Sequence, residues 1–334
     1  MKTRLLIRLF MIISILMITI YANAQKIGVS MANQYSERWI KEATLINDKL
    51  KQLGAEVLME TADDNTEKQI TQAQKLIDAG VKVLIVASVD CVASAKIVEI
   101  AHKAGVLVIA YDRLILNSDL DYYISFNSVK IGELLANYVI KLKPTGNYVF
   151  INGPIIDFNS KLIREGVMKV LNNPIKQGAI KLVLDKNLSE WAELEAYMEM
   201  STYLNGNNPK PDAVITGADV IGVGVATALD ERNYLATTPL VGQDADLQAC
   251  KGIVNDKYSA TILKFPKNLA NEAALLAYKL AKKETIDKNN FQTVNNGKID
   301  VPALLLDPLL IDKSNLEKDI IKSGYLTKEQ IYQK

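Results

Sequence analysis

From Lys26 onward, short apolar runs alternate with longer stretches whose apolar residues recur every three or four positions. After Pro144-Thr145-Gly146 the whole scheme starts again. Such alternation of strand and amphipathic helix is the pattern of a parallel, doubly wound α/β sheet. Strands are predicted at 27–31, 56–60, 82–87 and 106–110, with helices at about 36–53, 66–79, 91–104 and 128–142. The second run predicts strands at 147–152, 180–184, 212–216 and 239–242, with helices between them. Gly54, Gly80 and Gly105 each follow a helical stretch, where a left-handed residue is needed. A chain of 334 residues is long enough for two domains. The fold class expected is therefore α/β, as two Rossmann-like lobes, each with its own sheet. Right-handed crossovers place the carboxyl ends of each lobe's strands on one edge.

The tail departs from that regularity. A helix at about 267–283 is followed by extended segments at 291–295 and 299–306, the second carrying Val301-Pro302, which disfavours a central strand. This reads as a chain returning to the first lobe and crossing once more. The expected division is residues 25–127 with 266–298 in an N-terminal lobe, and 128–265 with 299–334 in a C-terminal lobe. A multi-strand hinge joining them would let the lobes close over a ligand by rotation.

The first residues stand outside this scheme. Lys2, Arg4 and Arg8 precede the apolar run Leu9 to Tyr21, and Ala22-Asn23-Ala24 fits a small-residue cleavage site. Residues 1–24 are read as a secretory signal peptide cleaved after Ala24, which sends the mature chain to the periplasm. No Cys follows that site, so no lipid anchor is indicated. Losing three basic residues from a formal net charge of +1 leaves a slightly acidic chain, a poor partner for nucleic acid. Cys91 and Cys250, expected at helix starts in different lobes, are read as unpaired packed thiols. His102 is the single histidine and lies in a helical pattern, where it reads as structural. The material for metal sites, Ser-His-Asp triads and Cys-His pairs is therefore missing, and no metal or cofactor is expected.

Polar residues gather at the predicted strand ends, where ligands of open α/β sheets bind. Val106 to Ala110 reads as a buried strand that releases Asp112, an acceptor, and Arg113, a planar five-donor group. Adjacent opposite charges suit a small neutral molecule rich in hydroxyls. Arg38 and Trp39 follow the first strand, and Ser88 and Asp90 the third. In the second run come Asp157, Asn159 and Lys161, then Trp191, Asp219, Gln243-Asp244-Ala245-Asp246 and Lys264. Trp39 and Trp191 are the two tryptophans, one in each lobe, and an indole face packs directionally on the C–H face of a pyranose. Each also admits a plainer reading: a Trp packs in its own core, Asp219 or Asp246 caps a helix, and Lys161 sits on a solvated face. The repetition across both lobes is what points to a sugar binder.

Together these residues resemble the D-xylose binders of the type I periplasmic sugar-binding protein family, which serve bacterial ABC importers. The similar stretches run over the whole mature chain: Glu37-Arg38-Trp39, Ala110-Tyr111-Asp112-Arg113, Asp121 to Phe126, Gly242 to Asp246, and Asn295-Asn296-Gly297 with Asp300-Val301-Pro302. The resemblance implies the periplasmic binding protein-like I fold and a pentopyranose between Trp39 and Trp191. It implies hydroxyl contacts from Arg38, Asp112 and Arg113 in one lobe and from Asp157, Asn159, Asp244 and Lys264 in the other. One position departs. Where the xylose binders carry an Asn that contacts the sugar, this chain has Ala218. A lost hydrogen bond to a buried hydroxyl costs about 1–3 kcal/mol, up to roughly a hundredfold in affinity. Arabinose, ribose and glucose therefore stand beside xylose as ligands.

The function expected is an exported, monomeric monosaccharide-binding protein that delivers its sugar to the membrane permease of an ABC transporter by cleft closure. The alternative is a sensor that presents the same closure to a chemoreceptor or histidine kinase carried by a separate chain. A sugar-processing enzyme is the third reading. Asp112 with Asp244 or Asp157 could form a carboxylate pair, but neighbouring Arg and Lys would hold both ionised. Gly222-Val223-Gly224 falls inside a helical stretch and lacks the third glycine of a dinucleotide fingerprint.

Overall fold

The computed structural model describes residues 25–34 and 37–333. The predicted signal peptide, residues 1–24, lies outside the described residues. The chain divides into two compact units: residues up to Ile124 with Pro266–Leu304, and Ser125–Phe265 with Leu305 onward.

In the first unit, strands β1 (Lys26–Met31), β2 (Glu56–Thr61), β3 (Val83–Val86), β4 (Leu107–Tyr111) and β5 (Tyr122–Phe126) alternate with helices α1 (Glu37–Gln52), α2 (Thr66–Asp78) and α3 (Ala95–Lys103). The next helices are α4 (Ser128–Leu142), α5 (Phe158–Lys176), α6 (Glu193–Asn205), α7 (Asp219–Glu231), α8 (Leu247–Val254), α9 (Pro266–Ala281) and α10 (Lys328–Tyr332). The remaining strands are β6 (Gly146–Asn152), β7 (Ile180–Asn187), β8 (Ala213–Thr216), β9 (Leu240–Val241), β10 (Thr261–Leu263), β11 (Gln292–Asn295), β12 (Asp300–Leu306) and β13 (Leu309–Ile311).

Among the described residues the first sheet has the order β11-β12-β5-β4-β3-β1-β2. Strands β2, β1, β3, β4 and β5 run parallel, and β11 is antiparallel to β12. The order reverses between β1 and β3, which is the switch point where such sheets present ligand sites. The second sheet repeats the plan as β7-β6-β8-β9, all parallel, and a single bridge from Val241 to Ala260 carries the order toward β10. Strands β10 and β13 pair antiparallel.

The central strands are apolar because they are covered on both faces. β3 is Val-Leu-Ile-Val and β8 is Ala-Val-Ile-Thr, each fully buried, as central strands of a parallel sheet must be. Val149, Ile151, Val214, Ile221, Val225 and Leu240 form the centre of the second unit's core.

Several boundaries differ from the sequence-based expectation. The chain passes between units at 124/125 and 304/305, whereas the pattern placed these crossings at 127/128 and 298/299. The later crossing follows from the hydrogen bonding of Asp300–Leu306, whose N-terminal part pairs with β11 in the first unit's sheet. Pro302 is accommodated there next to Thr293 of β11, toward the sheet edge. Strand β5 follows a loop rather than a helix, so the alternation rule passes over it. Helix α3 begins at Ala95, which leaves Cys91 in the turn before it, and Cys250 lies within α8. Both thiols are free and buried, and burial raises the Cys250 thiol far above its ordinary value. His102 Nε2 lies 2.8 Å from Asp121 Oδ2, an oxygen that also accepts the Val108 N–H, so this histidine ties α3 to β4.

Candidate functional site

In the first unit the carboxyl ends of β1, β3 and β4 converge on one charged cluster. Arg38 and Trp39 occupy the first turn of α1, directly after β1. Asp112 and Arg113 follow β4, and Asp112 has φ of +62°, a conformation that non-glycine residues seldom adopt. The strained turn is pinned by its backbone: Asp112 N donates to Ile124 O at 2.8 Å, and the Tyr123 hydroxyl donates to Asp112 O at 3.1 Å. In this setting Arg38 Nη2 donates to Asp112 Oδ1 at 2.5 Å, and Arg113 Nη1 donates to Ser88 O at 3.1 Å. Both guanidinium groups lie over Trp39, at 4.8 Å and 5.4 Å from the ring centroid. Trp39, Asp112 and Arg113 are all buried. The four predicted residues of this unit are thus one contiguous group, with the indole as the platform that carries two cations.

A fifth residue belongs to it. Arg38 Nε donates to Glu42 Oε1 at 2.9 Å, one helical turn along, and Glu42 is completely buried. Burial pushes its carboxyl above the ordinary range, against the pull of Arg38. Tyr111, fully buried, faces the same carboxyl, and its hydroxyl is held well above its usual range by burial and then by Glu42. Sequence reasoning passes over Glu42 because a glutamate within a helix looks like a solvated residue. The available signal is its i+4 spacing from Arg38. Asp90 stands apart: its Oδ1 accepts the Val92 and Ala93 N–H groups, so it closes a turn.

In the second unit the predicted residues follow the carboxyl ends of β6, β7 and β9 of the four-stranded sheet and of β10 beside it. After β6, Asp157 caps α5, with Oδ1 accepting from Asn159 N at 3.0 Å. Its Oδ2 accepts from Trp191 Nε1, which follows β7, at 3.2 Å. The indole lies flat on Gly153: a Cβ there would sit 2.3 Å from the ring, so glycine is required for the approach. Asn159 is buried, and its Oδ1 accepts from Ser128 Oγ at 3.0 Å. After β9, Asp244 has φ of +108°, fixed by its N–H to Ile262 O at 2.8 Å and by Tyr325 Oη donating to its carbonyl at 3.0 Å. After β10, Lys264 Nζ sits 2.7 Å from Asp244 Oδ1, and the lysine is buried. These residues form two groups, Asp157–Asn159–Trp191 at the carboxyl ends of β6 and β7 and Asp244–Lys264 at those of β9 and β10. Lys161 is exposed, with Nζ 5.1 Å from the Phe158 ring centroid, so it belongs to the helix surface.

Between the two groups, after β8, stands Ala218. It is buried, extended, and the N-cap position of α7 without a side-chain cap. Asp219 beside it acts as a hub. Its carboxyl accepts from Tyr258 Oη at 3.0 Å, Thr261 Oγ1 at 2.6 Å and Asp246 N at 3.0 Å. It therefore ties the starts of α7 and α8 to β10. Asp246 is the N-cap residue of α8, without a side-chain cap bond.

A family model described as the periplasmic binding protein domain matches residues 27–285. The D-xylose-binding periplasmic protein of Haemophilus influenzae is 39% identical over 307 residues, covering 92% of each chain. The D-xylose-binding periplasmic protein of Escherichia coli is 36% identical over 314 residues, 93% of this chain and 94% of that one. Among solved structures, an ABC transporter solute-binding protein from Clostridium phytofermentans with bound β-D-glucose superposes with a TM-score of 0.84 at 27% identity, covering 92% of this chain and 100% of that chain. The chain belongs to the periplasmic binding protein family, with the type I fold and with D-xylose-binding proteins among its relatives.

Proposed function

We propose that this chain binds a monosaccharide, D-xylose or a similar aldose, in the periplasm and delivers it to the membrane permease of an ABC transporter. The observation that carries this reading is that each unit offers, at the carboxyl ends of its strands, an indole together with carboxylates matched to cations. A sugar hydroxyl both donates and accepts. An ionised carboxylate held by arginine or lysine and the cation beside it supply the two complementary halves of that exchange. Arg38, Asp112 and Arg113 are the proposed contacts from the first unit, and Asp157, Asn159, Asp244 and Lys264 those from the second. Trp39 and Trp191 supply the apolar packing for the ring. Trp39 also spaces the two guanidinium groups, so its truncation would disorder Arg38 and Arg113 as well.

The same pairing speaks against turnover. Hydrolysis of a glycoside needs one carboxyl kept protonated, and Asp112 and Asp244 each have a cation within 2.7 Å. Binding without chemistry, by a monomer processed after Ala24, is the proposal. Ala218 provides no amide at the start of α7, so aldoses that place no hydrogen-bonding demand there are favoured over those that do.

Titration of the mature protein with D-xylose, L-arabinose, D-ribose and D-glucose tests this. One of them should bind saturably, without being consumed. At a thousandfold excess over Kd it should stabilise the fold by about 4 kcal/mol and raise Tm by several degrees. Trp191→Ala should weaken that sugar at least about tenfold, given the area and stacking that an indole contributes. No shift with any of these sugars, or wild-type affinity in the variant, would reject the reading.

A further inference from the structure

We propose that Glu42 is a positioning residue for sugar binding, acting through Arg38. This rests on the reading of Arg38 as a sugar contact and extends it to a residue that touches no sugar.

Arg38 is poorly placed by its own helix. It is the second residue of α1, at the positive end of the helix dipole, where a cation is disfavoured. A long guanidinium side chain also has rotamer freedom that would have to be surrendered on binding. Two carboxylates counter both effects by gripping different edges of the same group: Glu42 at Nε, 2.9 Å, and Asp112 at Nη2, 2.5 Å. The two grips differ in kind. Asp112 lies at the end of β4 and is itself a proposed sugar contact. Glu42 lies one helical turn along from Arg38 with no exposed surface, so it is out of reach of any ligand.

A buried carboxylate is costly unless a cation compensates it, and the cation bonded to the Glu42 carboxyl is Arg38. The surroundings reinforce this. Tyr111, also fully buried, lies close enough to the Glu42 carboxyl to act on it, and the Trp39 ring carries Arg38 on its face at 4.8 Å. Arg38, Arg113, Asp112 and Glu42 together make a charge-balanced quartet. Removing the Glu42 charge would release the hold on Arg38 Nε and unbalance the group proposed to meet the sugar.

The test is calorimetric titration of the mature protein with D-xylose and the three other sugars, using wild type, Glu42→Gln, Arg38→Met and the double variant. Glu42→Gln keeps the size and one acceptor but removes the charge. It should weaken binding about tenfold. In the Arg38→Met background the same change should have no further effect on affinity, because Glu42 has nothing left to position. A merely structural role would lower affinity in both backgrounds. If Glu42→Gln alone fails to fold, comparing Arg38→Met with Arg38→Met/Glu42→Leu decides the same question. Equal affinities support the assignment and a further loss overturns it. Wild-type affinity in Glu42→Gln would overturn this assignment only. Unchanged affinity in Arg38→Met, with sugar still bound by wild type, would reject the role of Arg38 beneath it. No sugar bound by wild type would remove both.

Discussion

Asp219 accepts three hydrogen bonds and has no exposed surface, yet burial, with the neighbouring carboxylates of Asp246 and Asp244, holds its carboxyl well above the ordinary 3.8. The folded state therefore binds this proton more tightly than the unfolded chain does. The stability it contributes is fully present below about pH 4 and is lost as pH climbs toward the raised folded value. Within that window the loss is about 1.4 kcal/mol for each pH unit. Asp219→Asn removes the ionisation while leaving an acceptor for the Asp246 N–H. Thermal melts across a pH series should show wild type falling more steeply than the variant as pH rises, with the wild type's advantage greatest at acid pH. Parallel curves would mean that Asp219 stays ionised in the fold. In the sequence this residue is ambiguous between ligand contact and helix cap. The structure makes it a hub, because its hydroxyl partners Tyr258 and Thr261 lie 39 and 42 residues away, beyond the reach of any local pattern. Glu42 escapes for the opposite reason: its partner is local, but nothing in the sequence marks that turn of α1 as buried.

At the scale of elements, the glycines of the second unit explain how its helices pack. A Cβ on Gly166 of α5 would sit 2.0 Å from Val129 O of α4, and one on Gly132 of α4 would sit 2.1 Å from Ile163 O of α5. The helices cross with backbone against backbone, and no side-chain adjustment can relieve an added methyl. Gly166→Ala should therefore destabilise the protein by about 1–3 kcal/mol. Alanine is the better helix former by about 1 kcal/mol, so the sign of the change separates packing from propensity. Denaturant unfolding reads it directly, and a stabilised variant would show that the helices can separate freely. Gly224 has the same origin, facing Glu193 O of α6, whereas Gly222 makes room for the Tyr258 hydroxyl. The glycine pair inside α7 thus serves packing. The strands read best from the sequence are those flanked by helices, since each carries an unbroken apolar run between polar, periodic neighbours. β5 follows a loop, and β13 spans only Leu309–Ile311, too short to show a period. Which strand ends carry polar residues was legible from spacing alone. Which of those residues touch one another was not, because Asp157 with Trp191 and Asp244 with Lys264 meet through sheet order, which spacing does not encode.

For the whole molecule the consequential feature is where the chain passes between its units. The crossings at 124/125 and 304/305 fall inside strands β5 and β12, and the one at 265/266 falls at the start of α9. A flexible linker would let each unit melt by itself. Here unfolding the first unit removes the hydrogen-bonded partners of β5 and β12, and residues 125–126 and 305–306 of those same strands belong to the second unit. The backbone order of one unit is thus continuous with that of the other at two strands, and the cost of fraying one is carried into both. Scanning calorimetry of the sugar-free protein should give one endotherm whose calorimetric and van't Hoff enthalpies agree, at about 0.7 kcal/mol per residue near 60 °C. Under the proposed function, added sugar should move that single transition upward without splitting it. Two resolved endotherms in the absence of sugar would show that the strands act as passive tethers. A sugar that shifted only one of them would place its binding energy in a single unit.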